Sequence, residues 1–471
     1  MFHTTSAAGL RADRSRIAQG DRQALNLRAL FTTAVWGADY VDRFLNYSLR
    51  TQLSAGNLGA FDTNSVFLLM TDMPSFRRIT ASPIYGALTD LVRVEHVDIQ
   101  NIRVTSKDKY SLLTACQNYV LSQAVDFDAL FFGYGDALWA EGSYAAAARR
   151  LAEGYDVVFS FGYPVLDKPF KSVVAAVASD GDMQAVTISP RTFARHVYRK
   201  LHPMAQANRW SNQWMSHCPS YVTWDVPGQG LLVRAFHLHP VAVRVHKESK
   251  DFFRPFYTTL DEGFVEGLFR SHPRVYVCTS SDEFGVCSLA APTNLAYTME
   301  PRRCVNVYDL AKFAEGYAGL LHRELFNRSI RLLIDDPDED LWRASEIEAA
   351  KIAAAVGDLV SIPDSVLALE YPAAFRARVH RRIRYQRPPD AKVFIGRRGG
   401  SYALARMARA LVGSTLRLRF LVRTVRVLRS IGVIHAAKIV ILPLLPKMLL
   451  WRLRYVVYSL SAAPEISRER R

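Results

Sequence analysis

The chain has 471 residues, which is too long for one ordinary domain and leaves ample length for a large buried core. Hydrophobic residues make up 49% and charged residues 22% of the chain, a balance that excludes global disorder. The net charge of +16 is concentrated at one end, because residues 376–471 contain 23 Lys and Arg but three Asp and Glu, a net +20, whereas residues 1–375 carry −4.

The cysteines and the N-terminal residues indicate the cellular setting. The five cysteines are odd in number and include no Cys-x-x-Cys pair, so neither a disulfide framework nor a zinc knuckle is indicated, and we expect a reducing compartment. Residues 1–27 are polar, contain several arginines and lack the apolar run of a secretory signal. We expect them to form a disordered leader.

Short apolar runs alternate with amphipathic stretches over the first two hundred residues. This pattern predicts an α/β fold, with crossover helices that connect the strands of a mostly parallel sheet. In chain order, strands are predicted at 30–35, 66–70, 92–97, 129–133, 156–161 and 173–178. Helices are predicted between them, at 39–53, 74–88, 107–125, 143–153 and 190–201.

The rest of the chain divides by composition. Short strands and loops rich in Trp, Gly and His extend the first domain to about residue 300, so we predict a catalytic domain over 28–300. Residues 301–375 predict a helical subdomain, with an acidic interruption at 335–340. Residues 376–471 begin with a basic linker rich in Pro and Gly, and they predict a separate segment.

One apolar strand ends in a turn that carries a carboxylate. The run that begins at Phe127 ends in Tyr134-Gly135-Asp136, and a helix start follows at Ser143. In an open α/β sheet, ligands bind at the carboxyl ends of strands, so Asp136 is placed to bind a metal ion or a sugar hydroxyl. The alternative is a turn carboxylate that accepts hydrogen bonds from nearby backbone N–H groups.

This strand-terminal carboxylate, followed by the helix start Glu141-Gly142-Ser143, resembles the GT-A glycosyltransferases. The resemblance covers residues 28–269 loosely and implies a GT-A-like, Rossmann-like mixed sheet with a nucleotide-sugar donor. It implies that Asp136 binds a divalent cation on the donor diphosphate, although this turn has one carboxylate where the family has Asp-x-Asp. The candidates that it implies for contacts with the nucleotide, at the ends of the first and second strands, are Asp39, Tyr40 and Asp72.

Two histidines follow in the segment 224–240. Strand alternation from Leu231 predicts that His237 and His239 lie on one face, where they could share a metal or flank a diphosphate. The resemblance implies that one of them completes the metal site. An Asp and His site suits Mn²⁺ better than Mg²⁺. The alternative is a pair of half-buried histidines that bond to the backbone.

Two carboxylates further along the chain are candidates for the catalytic base. Asp261 and Glu262 precede a short helical run, and their place in chain order resembles that of the base of inverting GT-A enzymes. A carboxylate takes up the proton of the acceptor hydroxyl if it lies within about 3 Å of it. The alternative is a pair of solvated loop charges.

The basic C-terminal segment predicts contact with a membrane. Arg419, Arg423 and Arg426 recur at a helical spacing among aliphatic residues, which is typical of a helix that lies in an anionic headgroup layer. Residues 432–451 are mostly apolar, but Lys438 and two prolines favour an interfacial element over a span. A true span, or packing against protein such as a homodimer partner, are the alternatives. Nucleic acid is disfavoured because aromatic stacking platforms are sparse.

The sequence thus predicts a bacterial, membrane-associated glycosyltransferase at the cytoplasmic face of the membrane. It would move a sugar from a nucleotide donor to a lipid-linked or cell-envelope acceptor, with a divalent cation as cofactor. Two alternatives stay open: a non-catalytic membrane-bound scaffold of the same fold, and a nucleotidyltransferase. The last is disfavoured because no Gly-rich phosphate loop follows the first predicted strand.

Overall fold

A computed structural model describes residues 2–5, 27–54, 56–61, 64–102, 104, 109–168, 174, 185–210, 215–216, 219–249, 252–253, 259–269, 273–291, 299–300 and 307–360. The chain divides into two compact units, Met1–Asp358 and Leu359–Arg471, and all the described residues except 359 and 360 belong to the first. The predicted membrane segment, most of the predicted leader and most of the predicted strand at 173–178 therefore lie outside the described residues.

The strands follow one another along the whole first unit. In chain order they are β1 (Phe2–Thr5), β2 (Ala29–Ala34), β3 (Val66–Thr71), β4 (Arg93–Asp98), β5 (Ala129–Tyr134), β6 (Ala137–Trp139), β7 (Val157–Ser160), β8 (Tyr163–Leu166), β9 (Ala185–Ile188), β10 (Met215–Ser216), β11 (Tyr221–Val226), β12 (Gly230–Ala235), β13 (His239–Arg244), β14 (Val275–Val277), β15 (Val286–Ala290), β16 (Met299–Glu300) and β17 (Ile330–Leu333).

The helices are interleaved with these strands. In chain order they are α1 (Ala38–Arg43), α2 (Leu49–Gln52), α3 (Met73–Thr80), α4 (Pro83–Leu91), α5 (Lys109–Gln123), α6 (Ser143–Ala152), α7 (Pro190–Arg199), α8 (Pro203–Ala207), α9 (Val265–Leu268), α10 (Val307–Tyr317), α11 (Leu320–Phe326) and α12 (Glu339–Val360). The π turn Phe44–Ser48 joins α1 to α2, and a second π turn, Leu260–Phe264, leads into α9. Short 3-10 turns occupy Leu58–Ala60, Ile99–Asn101 and Ala124–Asp126.

A central seven-stranded sheet has the order β14-β7-β13-β5-β2-β3-β4. The pairs β2–β3, β3–β4, β2–β5 and β14–β7 are parallel, and β13 runs antiparallel to both β5 and β7. The sheet is therefore mixed, with one strand reversed. This confirms the mixed α/β fold that the sequence predicts.

Helices cover both faces of this sheet. Leu30 and Leu68 belong to a core cluster with Val120 of α5, whereas Phe31 and Phe67 belong to a second cluster on the other face. Because both faces are buried, β3 is apolar up to its last residue and β2 is apolar except at Thr32 and Thr33, without alternation, as in other parallel sheets. The second cluster also contains residues of α1, α2 and the π turn between them, and of α3, α4 and α6.

Smaller sheets flank the central one. β11, β12 and β17 form an antiparallel sheet, and β6, β15 and β8 form another. Two-stranded pairs join β1 to β9 and β10 to β16. Within the stretch predicted to be a helical subdomain, β17 pairs with β12, so this stretch contributes a strand as well as helices.

The described helices agree with the predicted ones except in two places. The predicted helix at 74–88 is two helices, α3 and α4, because Pro83 has no N–H to continue the first and instead begins the second. The predicted helix at 39–53 contains the π turn Phe44–Ser48. None of the described helices combines the length and the hydropathy that are needed to cross a bilayer.

Candidate active site

A cavity of about 280 Å³ opens at the carboxyl ends of β2, β3 and β5. Ala34 of β2 lies between Met70 of β3 and Tyr134 of β5 in register, and all three line the cavity. The chain passes from β2 to β3 and β4 on one side, then returns to place β5 on the other side of β2. The cavity therefore lies at the point where the strand order reverses, which is where open α/β sheets bind ligands.

Buried polar side chains and aromatic rings both belong to the lining of the cavity. Thr32 and Gln117 are buried, and neither the Thr32 Oγ1 nor the Gln117 Oε1 has a hydrogen-bond partner among the described residues. Trp36, Tyr40 and Tyr110 line the same space. Buried polar atoms are normally paired, so these two positions are ready to bind a polar ligand.

The cavity ends at Asp136, which follows β5. The backbone carbonyl of Asp136 accepts a hydrogen bond from the Leu289 N–H at 2.9 Å, and this fixes the turn against β15. A Cβ at Gly133 would lie 2.6 Å from the Thr33 Oγ1, and one at Gly135 would lie 2.9 Å from the Val35 Cγ2. The glycines on either side of Tyr134 thus allow the turn to pack closely on β2.

The hydroxyl of Tyr134 is affected by two carboxylates, Asp136 and Asp261. Its hydroxyl is buried without a partner among the described residues, and burial raises the pKa of this hydroxyl above its ordinary value of 10. The negative charges of Asp261 and Asp136 raise that pKa further. Both carboxylates therefore act electrostatically on one phenol at the end of β5.

Asp261 lies in the π turn Leu260–Phe264, whose first residue lines the cavity. Burial is the largest single influence on the pKa of its carboxyl and raises it. The charge of His239, a 2.6 Å hydrogen bond from the Thr259 hydroxyl and the charge of His237 together lower this pKa by more. The net pKa lies below the ordinary value of 3.8. The carboxylate is therefore ionised at neutral pH.

The two histidines do not share a strand, contrary to the prediction. β12 ends at Ala235 and β13 begins at His239, and these strands belong to different sheets, so alternation from Leu231 does not continue to His237. His239 lies beside Tyr134, with ring centroids 5.5 Å apart. His237 lies in the connection, with its Nε2 3.0 Å from the Tyr317 carbonyl oxygen.

Of the three predicted nucleotide contacts at the ends of the first and second strands, one belongs to the described lining of the cavity. Asp72 caps α3, because its Oδ1 accepts a hydrogen bond from the Ser75 N–H at 2.8 Å. Asp39 is exposed in the first turn of α1, and neither it nor Asp72 belongs to the described lining of the cavity, whereas Tyr40 does. The side chain of Glu262 lies outside the described residues.

Some residues of the site were not predicted. Thr32 and Gln117 carry no motif, although Thr32 lies two residues before Ala34 and so shares its face of the strand. Tyr134 is inside the Gly-Tyr-Gly run, where the pair of glycines indicates a close approach of the backbone. His322 is distant in sequence, but its Nε2 lies 2.9 Å from the carbonyl oxygen of Asp261.

Neither a protein-family model nor a curated protein matches this chain. Solved structures with a similar arrangement include those of GT-A glycosyltransferases. TarS of S. aureus has a TM-score of 0.31 and 13% identity, over 76% of this chain and 54% of its own. Mouse xyloside xylosyltransferase 1, in its apo form, has a TM-score of 0.20 and 12% identity, over 31% of this chain and 58% of its own. GalNAc-T7 with UDP, GalNAc and Mn²⁺ has a TM-score of 0.27 and 8% identity, over 64% of this chain and 50% of its own.

The chain thus spans a little over half, or half, of the length of each of these neighbours. At such TM-scores the likeness assigns no activity to this chain. What the chain can do chemically therefore depends on its own cavity and on the side chains around it.

Proposed function

We propose that this protein is a GT-A-type glycosyltransferase that moves a sugar from a nucleotide donor to an acceptor hydroxyl. The observation that supports this most is one cavity, at the reversal point between β2 and β5, that joins a nucleoside-sized space to Asp136 and lies beside Asp261. Pockets with an apolar lining and a few convergent polar groups are typical of small-molecule sites.

The nucleoside would occupy the inner part of the cavity. Trp36 and Tyr40 offer aromatic faces for a base, and Tyr40 as a whole residue is 43% exposed. The buried Thr32 hydroxyl and Gln117 amide would hydrogen-bond to the edge of the base or to the ribose. Leaving such atoms unpaired costs free energy, so a ligand that pairs them gains affinity.

The diphosphate and the sugar would lie toward Asp136. We propose a divalent cation here, held on the protein side by Asp136 and His239. Among the side chains that the structure describes, no three of His, Cys, Asp or Glu are grouped to hold a metal ion by themselves, so the diphosphate oxygens would complete the ligand set. When bound, such a cation neutralises charge on the leaving diphosphate, and an Asp and His pair suits Mn²⁺.

Asp261 is the proposed general base. The acceptor oxygen attacks the anomeric carbon, the bond from that carbon to the diphosphate oxygen breaks, and the diphosphate leaves with the electron pair. The acceptor proton passes to the Asp261 carboxylate, which accepts a 2.6 Å hydrogen bond from the Thr259 hydroxyl and whose pKa lies below its ordinary value. Glu262 remains a second predicted candidate for this role.

Isothermal titration with UDP-, GDP- and CMP-sugars, each with and without Mn²⁺, tests the proposed donor. We expect one of them to bind, and Thr32→Val to weaken that binding about tenfold, the size of one lost hydrogen bond. Thr33→Val is the matched control, because Thr33 is equally buried but lies outside the described lining of the cavity. Absence of binding, or equal losses in the two variants, would contradict the proposal.

We propose that the acceptor is lipid-linked or part of the cell envelope, and that residues 376–471 hold the protein on the cytoplasmic face of the membrane. The support is the net charge of +20 among aliphatic residues in that segment. Full-length protein should float with phosphatidylglycerol vesicles and remain behind with phosphatidylcholine vesicles. Replacing Arg419, Arg423 and Arg426 by Gln should weaken flotation, and equal behaviour with both vesicles would count against the proposal.

A non-catalytic scaffold of this fold is the second candidate. It is favoured by the single carboxylate of the Tyr134-Gly135-Asp136 turn, where the GT-A pattern has two. The two functions separate on Asp136→Asn: the enzyme should lose turnover with its fold intact, whereas a scaffold should show no turnover before the substitution either.

A further inference from the structure

His322 of α11 holds the backbone of Asp261. It is 5% exposed, its Nδ1 lies 3.0 Å from the Gly319 nitrogen and its Nε2 lies 2.9 Å from the Asp261 carbonyl oxygen. A carbonyl oxygen accepts only, so Nε2 carries the proton, and the Gly319 N–H requires a lone pair on Nδ1. Both contacts are made together only by the neutral Nε2–H tautomer.

A second imidazole, that of His237, contacts the end of α10, next to the connection that leads to α11. The Nε2 of His237 lies 3.0 Å from the carbonyl oxygen of Tyr317, and the rings of His237 and His322 have centroids 4.5 Å apart. Phe313 packs against the His237 ring, with centroids 5.4 Å apart. Two imidazoles therefore hold the connection between α10 and α11, His237 at Tyr317 and His322 at Gly319. These contacts fix the start of α11, which carries His322.

The turn that carries Asp261 needs such a support. A π turn is a marginal backbone form, and it is often found at functional sites. Leu260 and Phe264 hold the two ends of this turn by burial, and the Phe264 ring packs on Phe132 with centroids 5.4 Å apart. The direction of the Asp261 carboxylate depends on the backbone between these ends, where His322 makes its contact.

We propose that His322 is a positioning residue for Asp261: it fixes the Asp261 carbonyl so that the carboxylate stays aimed at the acceptor hydroxyl. The inference rests on the proposed function, in which Asp261 takes up the proton. A small displacement of a catalytic group lowers the rate steeply while substrate binding persists.

Two substitutions separate the two contacts of the imidazole. The amide of Asn reaches as far as Nδ1, so His322→Asn keeps an acceptor for the Gly319 N–H and loses the donor to Asp261. The amide of Gln reaches as far as Nε2, so His322→Gln keeps that donor and loses the acceptor. A merely structural role as the cap of α11 predicts that Asn is the better replacement, and the positioning role predicts Gln.

The experiment measures hydrolysis by the full-length protein of whichever UDP-, GDP- or CMP-sugar binds most tightly. We expect His322→Asn to lower kcat about tenfold with the donor KM unchanged, and His322→Gln to remain within about threefold of the parent. In the background of Asp261→Asn, His322→Asn should cause no further loss, because the two residues act together.

Equal losses in the Asn and Gln variants, or a tenfold loss that persists without the Asp261 carboxylate, would overturn the positioning role and leave the proposed function standing. Failure of the parent protein to bind or hydrolyse any of these nucleotide sugars is a different result. It would remove the proposed function, and with it the inference about His322.

Discussion

Tyr134, the last residue of β5, lies beside His239, the first residue of β13, with ring centroids 5.5 Å apart. The two strands are antiparallel neighbours, paired from Ala242 with Phe131 to Arg244 with Ala129. Asp136 follows Tyr134 in the chain, and the charge of His239 acts on Asp261. This contact therefore joins two parts of the candidate site that are distant in sequence.

Tyr134→Phe tests whether the Tyr134 hydroxyl serves a ligand. The hydroxyl is buried without a partner among the described residues, so its removal should leave the free energy of unfolding unchanged or raise it by up to about 1 kcal/mol. Donor affinity should fall several-fold if the ligand supplies the missing partner. Thermal unfolding and calorimetry measure the two effects, and a large loss of stability would show that the hydroxyl has a structural role.

Gly133→Ala should destabilise the protein by about 1–3 kcal/mol, because its Cβ would lie 2.6 Å from the Thr33 Oγ1 and 3.0 Å from the Thr32 carbonyl oxygen. Gly86→Ala is the control. Gly86 lies in α4 with no atom within 4 Å of the added Cβ, and alanine there should stabilise the helix by up to about 1 kcal/mol. Urea unfolding of both variants tests the difference, and a neutral Gly133→Ala would contradict the packing described for this turn.

Asp72→Ala should cost about 1 kcal/mol of stability, since the Asp72 carboxylate caps α3 through the Ser75 N–H. Asp72→Ser retains a capping oxygen and should recover most of that loss. Donor binding should be the same in both variants, because Asp72 is not part of the described lining of the cavity. A loss of donor affinity in both would instead support the nucleotide contact that the sequence predicts.

The low pKa of Asp261 predicts a specific loss of stability in acid. In the unfolded chain this carboxyl has its ordinary pKa of 3.8, so as the pH falls the unfolded chain takes up the proton before the folded chain does. The stabilisation is complete above the unfolded pKa and is lost as the pH falls through the folded pKa. Urea unfolding should therefore show a steeper loss below about pH 4 in the parent than in Asp261→Asn, and parallel curves would contradict the charge environment described here.

Sequence patterns predicted the sheet better than the site. β2, β3 and β5 are recognisable because strands that are buried on both faces carry mostly apolar residues. In β4 no residue is buried, and its apolar residues are Val94 and Val97. Asp136 was predictable from the apolar run of β5, since the end of such a run can be located in the sequence. The place of Asp261 near the end of β5 was not predictable. It depends on β13, which lies antiparallel between β7 and β5, and the direction of a strand in a sheet leaves no periodic signal in the sequence.

Local alternation failed at His237 for a related reason. The segment from Leu231 looks like one strand, but the chain leaves one sheet after Ala235 and enters another at His239. The Ser143 of the Glu-Gly-Ser motif has a structural part: its hydroxyl oxygen lies 3.1 Å from the Gly285 nitrogen and 3.2 Å from the Gly285 carbonyl oxygen. A motif of that kind fixes a helix start without identifying a ligand.

Hydrolysis of a labelled nucleotide sugar by the parent protein and by Asp136→Asn and Asp261→Asn tests the central claim most directly. The parent should release the sugar, and both variants should be slower by about a hundredfold or more, with Asp261→Asn still binding the donor. Unchanged hydrolysis in Asp261→Asn, or no hydrolysis and no donor binding by the parent, would contradict the assignment of this cavity to nucleotide-sugar chemistry.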